Sequence, residues 1–99
     1  MSPATLLLHE RVVLADDVFA EIRIWRVPRS VPGTAHDLKY SLALVAAREC
    51  VLRYDNEAGK GDHRHTGHGG EAAYLFQGAE ALIADFWTEV DEWLAANRS

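Results

Sequence analysis

The sequence predicts an α+β fold: a small antiparallel sheet of four or five strands with one long C-terminal helix packed on it. Two patterns carry this expectation. Residues 18–27 alternate apolar and polar side chains with the period of a half-buried strand, and residues 78–96 repeat apolar side chains at helical spacing. Turn-forming residues divide what lies before the helix into short extended segments.

Leu6 to Leu14 is the first of these, closed by Asp16-Asp17, whose short polar side chains favour a turn. The next places Val18, Ala20, Ile22 and Ile24 on one face and Phe19, Glu21, Arg23 and Trp25 on the other. Pro28 and Pro32-Gly33 stop the pairing, because proline has no amide to give a ladder. Leu38 to Ala46 resumes it, with Leu38, Tyr40, Leu42 and Leu44 on one side. A short break at Ala47-Arg48 leads into Glu49 to Asp55, where Cys50, Leu52 and Tyr54 alternate with Val51, Arg53 and Asp55.

The chain then reads as a single domain over residues 1–99: a strand meander in 1–56, a Gly/His loop at 57–70, a last strand at 71–76 and the helix at 78–96. The loop, EAGKGDHRHTGHGG, holds five of the seven glycines and three of the five histidines and has no large apolar side chain. A loop of this length in so small a domain is more often functional or disordered than a plain connection. The helix gathers Leu82, Ile83, Phe86, Trp87, Val90, Trp93 and Leu94 on one face, and the sheet supplies its partner.

Composition bounds the function. At 99 residues, 48% apolar and 25% charged, the chain has the make-up of an ordinary globular domain with room for one core and no separate cofactor domain. No apolar run approaches the roughly 20 residues that cross a bilayer, so no membrane role is expected. One cysteine, Cys50, excludes an internal disulfide and fits a reducing, cytoplasmic setting. The net charge of -5 speaks against a strongly basic nucleic-acid binder, but it is unevenly spread. Nine basic and nine acidic residues precede residue 71, whereas residues 71–99 carry six acids and one arginine, so the whole deficit belongs to the C-terminal segment.

Chemistry concentrates in residues 54–70. In an extended segment His63 and His65 lie on one face with Arg64 opposite. Two mechanisms fit. One histidine can take a proton from a ribose 2′-hydroxyl while another protonates the leaving oxygen, with Lys60 and Arg64 stabilising the phosphate charge. Alternatively His63, His65 and His68 hold a divalent metal such as zinc, with Asp55 or Asp62 completing the set; the spacing lacks the fixed pattern of stronger zinc signatures, and no cofactor is favoured. The bland reading is a polar loop with solvated histidines. His9 and His36 are isolated and read as surface or satisfied side chains. Trp87 and Trp93 read as core by their helix spacing, while Trp25 is a candidate contact residue. Arg23, Arg26 and Arg29 are candidates for a cationic strip facing RNA or an acidic partner.

The run Leu52-Arg53-Tyr54-Asp55-Asn56, then Gly59-Lys60-Gly61-Asp62-His63-Arg64-His65, then Tyr74, Phe76 and Ala84-Asp85-Phe86, resembles the TumE-like proteins over roughly residues 38–94. These are small bacterial proteins assigned as toxins of toxin–antitoxin operons. The resemblance implies a toxin role beside a cognate antitoxin, usually a DNA-binding protein encoded next door. The positions matching the signature are Tyr54, Asp55, Asn56, Lys60, Asp62, His63, Arg64 and His65.

The leading expectation is therefore a toxin acting on RNA or translation without a metal. His63 and His65 serve as acid and base, Lys60 and Arg64 as phosphate contacts, and Tyr54 or Asp55 as orienting groups. Asp62, Asn56, Arg23, Arg26 and Trp25 are the candidates for substrate or partner binding. The alternatives are a non-catalytic protein-binding module and a metal-dependent hydrolase. An exposed edge strand in a small sheet also allows a homodimer.

Overall fold

The computed structural model describes residues 4–28, 34, 36–57, 61–67 and 69–97. Six strands form one sheet in sequence order: β1 (Thr5–Ala15), β2 (Val18–Arg26), β3 (Leu38–Ala46), β4 (Glu49–Glu57), β5 (Gly61–Thr66) and β6 (Glu71–Ala73). Every neighbouring pair is antiparallel. Helix α1 (Ala79–Ala96) packs on one face. No described helix is long and apolar enough to cross a membrane.

The alternation expected of residues 18–27 is what builds the core. Val18, Ala20, Ile22 and Ile24 of β2 are buried beside Leu38, Tyr40, Leu42 and Leu44 of β3, Leu52 and Tyr54 of β4, and Leu82, Phe86 and Val90 of α1. Because side chains alternate across a strand, the in-register row Ile22, Leu42, Tyr54, Arg64 lies wholly on the helix face. The next row, Arg23, Ser41, Asp55, His63, lies wholly on the other.

Three expectations are corrected. First, the stretch 57–70 is not one loop: residues 61–66 form β5, so the sheet has six strands rather than four or five. The polar run GDHRHT holds a strand because each face meets a partner suited to it, Glu89 of α1 on one side and Asp55 on the other. Second, the last strand covers only Glu71–Ala73 instead of 71–76; the segment after it turns to carry Tyr74 and Phe76 against the core, and the helix starts at Ala79 behind Gly78, whose φ of 112° suits glycine. Third, an irregularity in the β3–β4 register takes Cys50 out of the Leu52–Tyr54 alternation, leaving it exposed while Val51 packs against the core.

The β3–β4 turn is a two-residue connection in which Ala47 and Arg48 both adopt positive φ, 50° and 67°. This is the primed turn whose twist matches the strands it joins, usually made by Asn-Gly.

Candidate functional site

The face of the sheet away from α1 is covered by no helix among the described residues, and near its β4–β5 side it gathers Arg53, Asp55, His63 and His65. The gathering follows from register: Asp55 pairs with His63 and Arg53 with His65 across the β4–β5 ladder, so two i, i+2 pairs on adjacent strands close into a square of side chains. His63 Nε2 lies 2.7 Å from Asp55 Oδ1, and His65 Nε2 lies 3.7 Å from the same oxygen. The imidazole rings stand edge to face with centroids 4.5 Å apart. Arg53 Nε is 3.0 Å from the second carboxylate oxygen, Oδ2. Glu71, opposite His65 on β6, places a carboxylate oxygen 4.0 Å from its Nδ1.

Burial grades this cluster. The side chains are 4% exposed at His63, 13% at Asp55 and 24% at His65, so His65 is its opening to solvent. His63 Nδ1 lies 2.9 Å from the carbonyl of Gly61, which can only accept; Nδ1 therefore carries the proton, and in the neutral ring Nε2 turns a lone pair toward Asp55. Gly61 reaches this position at a φ of 75°. Asp55 Oδ1 and His65 Nε2 are buried with no hydrogen-bond partner, and the approach of Arg53 Nε is an ion pair without hydrogen-bond alignment.

The remaining sequence candidates divide between other places. Arg64 and Tyr54 stand on the helix face, across the sheet from the histidines, and share Glu89 of α1. The Arg64 guanidinium holds that carboxylate with both forks, at 2.5 and 2.7 Å, and the Tyr54 hydroxyl donates to it as well. Burial pushes the Glu89 carboxyl up, but its hydrogen bonds from Arg64 and Tyr54 outweigh this and hold it below its ordinary range. The same contact raises Arg64, and burial together with Glu89 raises the Tyr54 hydroxyl. Arg64 is thus committed to tying β5 to the helix, and the geometry does not bring it to the histidines.

Asn56 and Asp62 also face the helix side, where they finish the end of the sheet. Asn56 accepts from the Tyr40 amide at 3.0 Å and donates to the Leu38 carbonyl at 2.7 Å. Asp62 Oδ1 accepts from Tyr40 Oη at 2.7 Å and contacts His36 Nε2 at 2.8 Å, with the His36 ring stacked on Phe76. Asp62 is therefore separated from any metal set built on His63 and His65. Arg23 and Trp25 do share the open face with the cluster. Arg26 falls on the opposite face and pairs with Asp37 at 3.4 Å, so it forms no strip with Arg23, itself paired with Glu21 at 3.2 Å. Lys60, His68 and Arg29 lie outside the described residues.

Arg53 and Glu71 were not singled out by sequence reasoning. The signal for Arg53 was present, since Arg53 and Asp55 have the same two-residue spacing as His63 and His65, but only the pairing register sets the two pairs face to face.

Neither the curated proteins nor the solved structures offer a match to this chain. The family model described as "Toxin TumE" matches residues 3–94, nearly the whole length, including every strand and most of the helix. The chain belongs to the TumE toxin family.

Proposed function

We propose that this toxin acts on RNA, and that the open-face cluster of Asp55, His63 and His65, with Arg53 beside it, is where it acts. The observation that carries this reading is the convergence of a half-buried carboxylate and two imidazoles on a sheet face that no described helix covers and that also bears Arg11, Arg23 and Lys39. The excess acidic charge sits in the C-terminal segment, mostly on α1 across the sheet, so it does not oppose a phosphate backbone laid on this face.

The chemistry proposed is transesterification within the strand. The cluster takes the proton of a ribose 2′-hydroxyl, most directly at His65, its most exposed side chain. The 2′ oxygen attacks the adjacent phosphorus, the bond from phosphorus to the 5′ oxygen breaks, and that oxygen takes a proton from water. The products are a 2′,3′-cyclic phosphate and a 5′-hydroxyl, and the proton on the cluster returns to solvent. With their rings 4.5 Å apart, His63 and His65 stand on one side of any bound phosphate and serve together as one base rather than as base and acid. Asp55 orients and balances the charged imidazole, and Arg53 offers its guanidinium to the phosphate.

The test is expression and purification of wild type, His65→Ala and Arg53→Ala. The wild type arrests growth and cleaves RNA to cyclic-phosphate ends, His65→Ala loses about 100-fold or more of the cleavage rate, as removal of an acid–base group does, and relieves arrest. Arrest and cleavage unchanged in folded His65→Ala would sink the assignment; arrest without any RNA cleavage would point to the non-catalytic binding module instead.

A further inference from the structure

Beyond that reading, we propose that Asp55, His63 and His65 form a binding site for one divalent transition-metal ion of the zinc class. Each offers one ligand atom, and the three atoms lie within 4.8 Å of one another. A four-coordinate ion with bonds of about 2.0–2.1 Å sets its ligand atoms roughly 3.3 Å apart. The observed separations from Asp55 Oδ1, 2.7 Å to His63 and 3.7 Å to His65, fall on either side of that value, so small side-chain adjustments produce the set.

A plain ion pair explains less. His65 Nε2 is buried without a hydrogen bond, a state that costs free energy unless something fills it, and the Asp55 Oδ1 it faces meets His63 in a close ion pair at 2.7 Å. An Asp55–His63 pair alone gives His65 no reason to turn its buried nitrogen toward the same oxygen. The surroundings also have the form of an outer ligand shell. Gly61 takes the proton-bearing Nδ1 of His63 and so aims its other nitrogen inward, Glu71 stands beyond Nδ1 of His65, and Arg53 engages the carboxylate oxygen that faces away from the histidines.

Among the described residues the other titratable clusters lack this character. Glu89 is fully engaged by Arg64 and Tyr54, and Asp62 by Tyr40 and His36. Two imidazoles and one carboxylate leave a coordination position open, as catalytic sites do and closed structural sites do not. Bound here, an ion would be held by Asp55, His63 and His65 and would supply a Lewis acid and a water of lowered pKa on the open face. His65, then a ligand, would no longer be the free base of the proposed reaction. The ion site stands whether or not RNA is the target; its catalytic use rests on that reading.

The test uses the full chain stripped with a chelator and titrated with zinc and with cobalt, followed by calorimetry and by the visible absorption of cobalt. One ion per chain, a four-coordinate cobalt spectrum and a rise in Tm with zinc are expected. His65→Ala and Asp55→Asn, each checked for folding by circular dichroism, should weaken binding by more than the roughly 100-fold produced by outer-shell changes, while His9→Ala on the distant β1 edge keeps it. Absence of a stoichiometric ion, or equal affinity in wild type and both site variants, overturns the proposal. Binding with intact RNA removes the RNA reading and leaves the site, whereas RNA cleavage by chelated protein that takes up no ion removes the site and leaves the RNA reading.

Discussion

Asp55 uses its two oxygens differently. Oδ2 faces the Arg53 guanidinium, and Oδ1 faces both imidazoles, so one carboxylate links the cationic and the basic parts of the open face. Single residues matter as much at the opposite end of β4, where the turn into it holds Ala47 and Arg48 at positive φ. A Cβ in this conformation crowds the neighbouring carbonyl and costs roughly 1–2 kcal/mol per residue. The double substitution Ala47→Asn, Arg48→Gly supplies the pair that such turns prefer and is expected to stabilise the protein by about 1–2 kcal/mol without changing the slope of urea unfolding. Loss of stability would show that the turn is held by contacts other than its backbone conformation.

Among the elements, β5 is the one on which both candidate site and fold depend. Its odd-numbered histidines face the open side, while Arg64 faces α1 and its two-pronged ion pair with Glu89 fastens the strand to the helix. Glu89 is a carboxylate whose folded pKa lies below its ordinary value of 4.5, so its stabilising contribution is complete above that value and is lost as pH falls through the folded one. Glu89→Gln is therefore expected to lower stability by about 1–3 kcal/mol at neutral pH, with the difference from wild type closing as pH falls through the lowered folded value. Denaturant midpoints of both proteins across this range check it. A difference that persists unchanged into acid would mean that the glutamate acts through packing and not through its charge. Hydrogen exchange should show β5 opening before β2 and β3 in the variant, because the latter are held by the apolar core.

In the whole molecule the sheet separates charge. Its open face carries Arg11, Arg23, Lys39 and Arg53 among a few acids, and the helix beyond the other face carries Glu80, Asp85, Glu89, Asp91 and Glu92. A chain of net charge -5 can thus approach a polyanion by one side. Single-stranded RNA binding, measured in the His65→Ala background to prevent turnover, should weaken as salt rises. Arg23→Ala and Lys39→Ala should each reduce the slope of log affinity against log salt by about 0.7, the value of one phosphate contact on a single strand. Unchanged slopes in both would place the RNA on another surface.

The fold class, the faces of β2 and β3 and the helix with its buried stripe were legible in the sequence, because side-chain period reports local geometry and burial together. The His63-x-His65 spacing likewise established that both imidazoles share a face if the segment is extended. Whether it is extended was not legible, since GDHRHT has no apolar alternation and its strand depends on partners far along the chain: β4 across the ladder and Glu89 on the helix. Tertiary structure alone joined Arg53 and Asp55 to the two histidines and gave Arg64 and Tyr54 their shared partner Glu89 and Asp62 its partner Tyr40 on the opposite face. Spacing along one strand sets the face on which a side chain lies, but the residue it meets there is set by how two distant strands align, and a shift of one position would turn every one of these side chains to the other side.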